Sequence, residues 1–214
     1  MHSDPAVVPP SAARALRAST LREERLRLAK TAPSVVEINR LIWRISRRED
    51  TDGRLQDRLP YLDPTYGGVD ADVIVLLKAP QADADPSRGA GRLISIDNND
   101  STAETLFDLF IELSIDRARC VAWNICPFPL REFDPAEDEL RRGKEDFRSF
   151  LGLLKHPKTV LVLGAAVGRG WHEHSFGSID PNLRVVCGPS PSPPGITKGD
   201  NLVLLRDAIR HAFA

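Results

Sequence analysis

An asparagine at the end of an apolar run is the first residue in this sequence whose type and position suggest chemistry. Asn124 lies near the end of the β-branched stretch from Cys120 to Ile125. A buried asparagine must find hydrogen-bond partners, and its amide offers a donor and an acceptor in one plane, as needed to read an imide edge such as that of a pyrimidine base. The alternative is an asparagine that stabilises a turn.

A second group of polar side chains precedes a predicted helix that begins at Ser101. Carboxylates and hydroxyls at a helix start are most often caps, which is the structural interpretation of Asp100 and Ser101. Ser95, Asp97 and Asn98 lie too far upstream to cap that helix. These three residues are therefore candidates for contact with a polar ligand.

Two further segments contain glycine, proline and serine. The segment from Gly164 to Trp171 does not match Gly-x-Gly-x-x-Gly and has no phosphate-binding lysine, so we expect close helix packing there and no nucleotide cofactor. The loop from Gly188 to Ile196 is rich in proline and serine, and its hydroxyls and free amides could meet phosphates. The alternative for this loop is a proline-rich surface turn.

The elements that must position these residues alternate along the chain. Continuous apolar runs predict strands buried on both faces at residues 72–77, 120–125, 159–163 and 183–187. Helical patterns lie at 101–114, 137–154, 165–174 and 201–213. Strands that alternate with helices predict a three-layer α/β/α sandwich with a central four-stranded parallel sheet. In such a sheet, ligands bind beyond the carboxyl ends of the strands, after Leu77, Ile125, Leu163 and Cys187.

The beginning of the chain has a different character. Residues 1–33 are predicted to form an arm that is partly helical or disordered, with a helix over 11–30 whose apolar stripe is thin. A better patterned helix over 34–48 begins the domain proper, which we place at 34–214. The arm could fold onto the domain, bind a partner or remain loose.

Composition excludes several classes of protein. The chain has 214 residues, a formal net charge of −1 and three cysteines without a Cys-x-x-Cys pair, so we expect neither a metal site nor an iron–sulfur cluster, and a cytoplasmic location. No apolar run is long enough for a membrane span. Charge is uneven along the chain: residues 1–59 sum to +4, residues 60–139 to −10 and residues 140–214 to +5. A broad basic surface typical of DNA-binding proteins is therefore absent.

The polar segments and their order resemble a known family. Taken together, the chain resembles the uracil-DNA glycosylase superfamily, in particular the bacterial uracil/mismatch glycosylase-like branch without an iron–sulfur cluster. The segments that carry the resemblance are YLDP (61–64), LLKAPQ (76–81), SIDNNDSTAETLF (95–107), WNICPFPL (123–130), VLVLGAAVGRGW (160–171) and GPSPSP (188–193). The resemblance covers the chain from about Leu59 onward.

The resemblance implies roles for individual residues. Asn124 would read the base, and Asp97, Asn98, Ser190 and Asp83 would place or activate water or assist the departure of the base. Base contacts would come from Ala79, Pro80, Gln81, Leu93 and Ser95, and DNA contacts from Pro189, Ser190, Pro191, Ser192, Ile196 and Arg169, with Ile196 as a wedge in the space left by the base.

The sequence departs from the family pattern at four positions. Gly188 stands where the family usually has the histidine that stabilises the base anion. Leu93 or Ile94 stands where an aromatic residue commonly stacks on the base. Lys78 replaces a common acidic residue, and Gln81 a common glycine.

We therefore expect a DNA base-excision glycosylase that acts in DNA repair. It would be a monomer that hydrolyses the N-glycosidic bond of uracil or a related deaminated or mismatched base, in single- or double-stranded DNA, without cofactor or metal. Two alternatives stay open. One is a catalytically weakened or inactive DNA-binding module with the same fold, and the other is a small-molecule hydrolase or nucleotide-binding α/β protein.

Overall fold

A four-stranded parallel sheet forms the centre of the molecule. The computed structural model describes residues 7–49, 59–80 and 93–214. Within these ranges the strands are β1 (Val73–Leu77), β2 (Cys120–Asn124), β3 (Thr159–Leu163) and β4 (Arg184–Gly188). They pair in the order β2-β1-β3-β4, with every neighbouring pair parallel. The predicted fold class is confirmed.

Helices cover both faces of the sheet. The described α-helices are α1 (Ser19–Ala29), α2 (Val36–Glu49), α3 (Ser101–Glu112), α4 (Glu137–Leu151), α5 (Ala165–Glu173) and α6 (Asn201–Phe213). Phe110 of α3 contacts Phe213 of α6 edge to face at 5.7 Å between ring centroids, and Phe147 of α4 contacts Trp171 of α5 in the same way at 5.6 Å. Right-handed crossovers place the two pairs on opposite faces, which gives the three layers.

The strands differ in how far they are buried. β2 and β3 are buried along their whole length, and β1 up to its last residue, as their continuous apolar sequences predict. The same prediction is wrong for β4, where Arg184, Val185 and Cys187 are exposed. β4 is an edge strand that packs on α6, but β2 at the other edge stays buried, so an edge position alone does not account for the exposure.

The described part of the predicted N-terminal arm packs on the rest of the chain. The expected single helix over 11–30 is a 3₁₀ turn followed by α1, with extended backbone at Ala18 between them. Leu16 and Ala29 pack against Leu93, and the Leu16 amide donates to the Asp97 carbonyl at 3.0 Å. Of the three possibilities for the arm, folding onto the domain is therefore the one observed for residues 7–33.

None of the helices in the described ranges combines the length and apolar character needed to cross a bilayer.

Candidate functional site

A cavity of about 710 Å³ lies at the carboxyl end of the sheet, on the side of α3. Segments 78–80, 93–98, 163–167 and 190–195 contribute to its wall, together with the first turn of α3. Side chains alternate between the two faces of a strand, so Val75 and Leu77 of β1 and Ala122 and Asn124 of β2 face it together. The cavity thus lies at the edge where the strand pattern places a ligand.

Asn124 supplies a buried amide to this cavity. The residue is 6% exposed, and it forms no side-chain hydrogen bond with any residue in the described ranges. Neither of its amide atoms is sealed from solvent. Because buried polar groups are nearly always paired, an amide that lines a mostly apolar cavity without a partner is available to a ligand.

Tyr66 is a cavity residue that the sequence did not indicate. It is 5% exposed, and its hydroxyl has no partner in the described part of the chain. Burial raises the pKa of Tyr66 well above its usual value, with a further contribution from Cys120, so the hydroxyl keeps its proton and can donate.

The backbone after Tyr66 fixes its position. The Gly67 amide donates to the carbonyls of Arg117 and Cys120 at 3.2 and 3.0 Å. A Cβ at Gly67 would lie 1.9 Å from the Ala118 carbonyl oxygen, so no larger residue fits this approach.

Asp97 does not line the cavity. Both of its carboxylate oxygens accept hydrogen bonds from the Arg117 guanidinium at 2.8 Å, and both side chains are buried. Burial raises the pKa of Asp97, against the lowering effect of Arg117. The predicted role of Asp97 in catalysis is therefore not supported by its position, because the carboxylate is engaged in an ion pair outside the cavity wall.

The neighbours of Asp97 do face the cavity. Asn98 lines it and donates from Nδ2 to the Leu93 carbonyl at 2.7 Å, which leaves Oδ1 without a partner among the described residues. Ser95 also lines it, and its hydroxyl accepts from the Asp97 amide at 3.0 Å. Asp100 caps α3 by accepting from the Ala103 amide at 2.9 Å, as the structural interpretation predicts.

Some residues of the loop after β4 line the cavity, and one packs in the apolar core. Ser190 and Ser192 line the cavity, and the Ser190 hydroxyl accepts from the Ser192 amide at 3.2 Å. Pro189 and Pro191 are not in the wall. The predicted wedge role of Ile196 is wrong for this conformation: its side chain is 8% exposed and belongs to the main apolar core, so it has no free surface to insert into DNA.

An exposed aromatic residue stands at the mouth of the cavity. Phe133 is 85% exposed, and the Lys78 ammonium lies 3.7 Å from the centre of its ring while donating to the Phe133 carbonyl at 2.6 Å. Arg169 lines the cavity beside them and pairs with Asp134 at 3.0 Å. No sequence pattern indicates Phe133, which lies in the β2–α4 loop. It provides an aromatic face at the site although Leu93 occupies the position expected for one.

The first turn of α5 also opens onto the cavity. Gly164 precedes the helix with φ 105° and gives it no side-chain cap. The amides of Ala165, Ala166 and Val167 form no hydrogen bonds within the described ranges, and all three residues line the cavity. Free amides and the helix dipole make this turn favourable for a negatively charged group.

Gly188 is not in the cavity wall, although its register pairs it with the cavity residue Leu163. A Cβ at this position would lie 2.8 Å from Ala208 Cβ and 3.1 Å from Leu163 Cδ2. The space beside Gly188 is therefore filled by α6 and by Leu163, and a histidine would fit there only if these neighbours moved.

Four predicted residues of the segment after β1 remain to be placed. Ala79 and Pro80 line the cavity, whereas Gln81 and Asp83 lie outside the described residues. In the described ranges, no three His, Cys, Asp or Glu side chains are grouped as a metal site would require.

The fold and cavity define an α/β protein with a cavity at the carboxyl edge of a parallel sheet. Comparison of the sequence with models of known protein families gives no match, and comparison with curated proteins gives no significant one.

Proposed function

We propose that the protein is a DNA glycosylase that hydrolyses the N-glycosidic bond of uracil or a related deaminated or mismatched base. The observation that carries this proposal is the unpartnered amide of Asn124 in the wall of a largely apolar cavity. An extruded base is read by hydrogen bonds to its edge and by apolar or aromatic contact with its faces. The cavity offers groups for both kinds of contact.

The polar groups of the cavity suit an imide. An imide edge carries a donor between two acceptors. The Asn124 amide can satisfy the donor and one acceptor, and the protonated hydroxyl of Tyr66 can donate to the other. Leu93 is 1% exposed and packs on Leu16 and Ala29, so the apolar surface for the face of the ring would come from the half-buried wall residues Leu77 and Ala79.

Hydrolysis would use the groups that face the cavity. The C1′–N bond breaks, its electron pair leaves with the base, and the oxygen of a water molecule bonds to C1′. The proton that this water releases passes to solvent, and the base anion takes up a proton from solvent after it leaves. Asn98 Oδ1 would orient this water. The base anion would be stabilised by the free amides of α5 and by the Ser190 hydroxyl, in place of the histidine that Gly188 cannot supply. A preorganised donor of this kind is typically worth about 3 to 4 kcal/mol in the transition state.

A specific observation favours a second candidate, a weakened or inactive DNA-binding module. The two cavity-lining carboxylates of the described ranges each have one oxygen engaged, Asp100 in the α3 cap and Asp134 with Arg169, and the nearby Asp97 is paired with Arg117 outside the wall. The amide of Asn98 orients water but is a poor base. We therefore expect slow turnover if catalysis occurs.

The test is a panel of oligonucleotides containing uracil, hypoxanthine or a mismatch, followed by alkali to reveal abasic sites. We expect cleavage of at least one substrate by the wild type. Asn124→Ala should lose about a hundredfold in rate, whereas the exposed control Asn182→Ala should keep it. Because Asn124 has no partner to lose, the thermal stability of Asn124→Ala should be unchanged.

Three results would contradict the proposal or a part of it. Cleavage that survives in Asn124→Ala would reject the base-reading role. The absence of cleavage at enzyme excess, with binding that weakens as salt rises, would select the DNA-binding module. Turnover of free nucleosides without DNA binding would select a small-molecule hydrolase.

DNA as the partner, a monomeric state, a role in base-excision repair and a cytoplasmic location belong to the same proposal. They rest on the resemblance and on the composition described above.

A further inference from the structure

A second surface, outside the cavity, combines aromatic and basic side chains. We refer to it as the Trp43 face, and it consists of Lys30, Arg40, Trp43, Arg44, Arg47 and Tyr61. The four α2 residues are spaced three and four apart and all are exposed, so they form one stripe along the helix. A groove of about 160 Å³ lies between Trp43 and Tyr61, with Lys30 and Arg40 at its rim.

The charges of this face are mostly free of ion pairs. Lys30, Arg44 and Arg47 form none with the described residues, whereas Arg40 pairs with Glu37. The Arg47 guanidinium lies 4.9 Å from the centre of the Trp43 ring, and the Lys30 ammonium lies 6.0 Å from that of Tyr61. The face therefore offers positive charge beside aromatic rings, which suits an anionic chain that carries flat, stackable groups.

Trp43 is much more exposed than the other two tryptophans. Trp43 is 40% exposed, whereas Trp123 and Trp171 are buried in the core. An exposed indole between arginines does nothing for the core. Stacking with a base and contact of guanidinium groups with phosphates would use both features.

We propose that the Trp43 face binds a single-stranded segment of DNA, with a base stacked on Trp43 and phosphates on the arginines. Pro60 lines the cavity and the adjacent Tyr61 lines the groove, so a single segment of backbone separates the two sites. The choice of DNA rests on the proposed function, but binding at this face needs no damaged base.

The experiment measures tryptophan fluorescence while undamaged oligothymidylate is added. We expect quenching in the wild type and none in Trp43→Phe, because the other two tryptophans are buried. Trp43→Leu should bind about tenfold more weakly, since stacking of one base contributes on that order. A fully abasic oligonucleotide of equal length should bind more weakly and leave the fluorescence unchanged.

A pair of charge variants tests the arginines. The slope of log affinity against log salt is negative, with a magnitude of about 0.7 for each phosphate contact on a single strand. Arg44→Gln/Arg47→Gln removes two contacts, so it should reduce the magnitude of this slope by about 1.4 relative to wild type. The control Arg206→Gln/Arg210→Gln removes the same charge from α6, which belongs to the opposite helical layer, and should keep the slope. Circular dichroism should show all variants folded.

The outcomes separate this proposal from the proposed function. Binding without quenching would overturn the second site. Equal affinity and salt slope in the Trp43-face variants and the α6 control would overturn it too. Both conclusions hold whatever result the glycosylase panel gives. Quenching that depends on Trp43 would support it even if no base is excised. Preference for an RNA oligonucleotide over DNA of the same sequence would overturn the choice of DNA.

Discussion

Asp97 and Arg117 form a two-bond ion pair that is almost completely buried, with both hydrogen bonds 2.8 Å long. The pair joins the cavity segment 93–98 to the 3₁₀ turn Arg117–Arg119 that precedes β2. It therefore holds the Asn98 side of the cavity against the strand that presents Asn124. Its function is to position the wall, and this predicts a particular response to substitution.

Removing one partner of the Asp97–Arg117 pair should lower the free energy of unfolding far more than replacing both partners. Asp97→Ala leaves the Arg117 guanidinium buried without its partner and should lower the free energy of unfolding by about 3–5 kcal/mol. Asp97→Val/Arg117→Met replaces the pair by apolar groups and should recover most of this loss. Urea unfolding of the three proteins measures it. Equal loss in the single and double variants would contradict the interpretation.

The same pair predicts a pH dependence. Burial raises the pKa of Asp97 above its ordinary 3.8, so the folded state binds its proton more tightly than the unfolded state does. The contribution of Asp97 to stability is thus present below 3.8 and is lost as pH rises through the folded pKa. The unfolding free energy of the wild type minus that of Asp97→Val/Arg117→Met should fall as pH rises from 3.8 through the folded-state pKa of Asp97. Above that pKa the difference should be flat. A difference that grows with pH would contradict this.

Gly188 is predicted to be a packing residue. Gly188→Ala places a methyl group 2.8 Å from Ala208 Cβ and should destabilise the fold by about 1–3 kcal/mol. Addition of Ala208→Gly should reduce this cost in a double-mutant cycle. The control Gly168→Ala, in α5 with nothing near its Cβ, should stabilise by up to about 1 kcal/mol. Gly188→His should give no gain in excision, and a gain would show that the side chain reaches the cavity.

Local sequence was enough for most of the secondary structure, because β-branched runs and helical periodicity are local properties. The strand over 159–163 and the helix over 201–213 were predicted to the residue. Pairing of Asp97 with Arg117 joins residues 20 positions apart, and no local pattern indicates it. The exposure of β4 depends on how the helices pack against it, and the position of Phe133 depends on the path of the β2–α4 loop. Both are set only when the layers assemble.

Phe133 is predicted to be a binding residue at the cavity mouth. Because it is 85% exposed and held by Lys78, its ring can stack on a base with little loss of side-chain freedom. Phe133→Leu should raise KM for DNA about tenfold, leave kcat nearly unchanged and keep the melting temperature. Leu204→Ala, an exposed apolar residue of α6, is the control. A fall in kcat with unchanged KM would instead indicate a role in the chemical step.

The first turn of α5 gives a prediction that involves no side chain. Ala165→Pro removes one free amide, and proline is favoured at the first position of a helix. Gly164 has φ 105° and ψ 148°, and this ψ lies outside the helical values that a following proline disfavours. If this amide stabilises the base anion, kcat should fall on the order of a hundredfold at an unchanged melting temperature. Ala165→Ser keeps the amide and should keep the rate. Equal rates in the two variants, each well folded, would show that the anion is stabilised elsewhere.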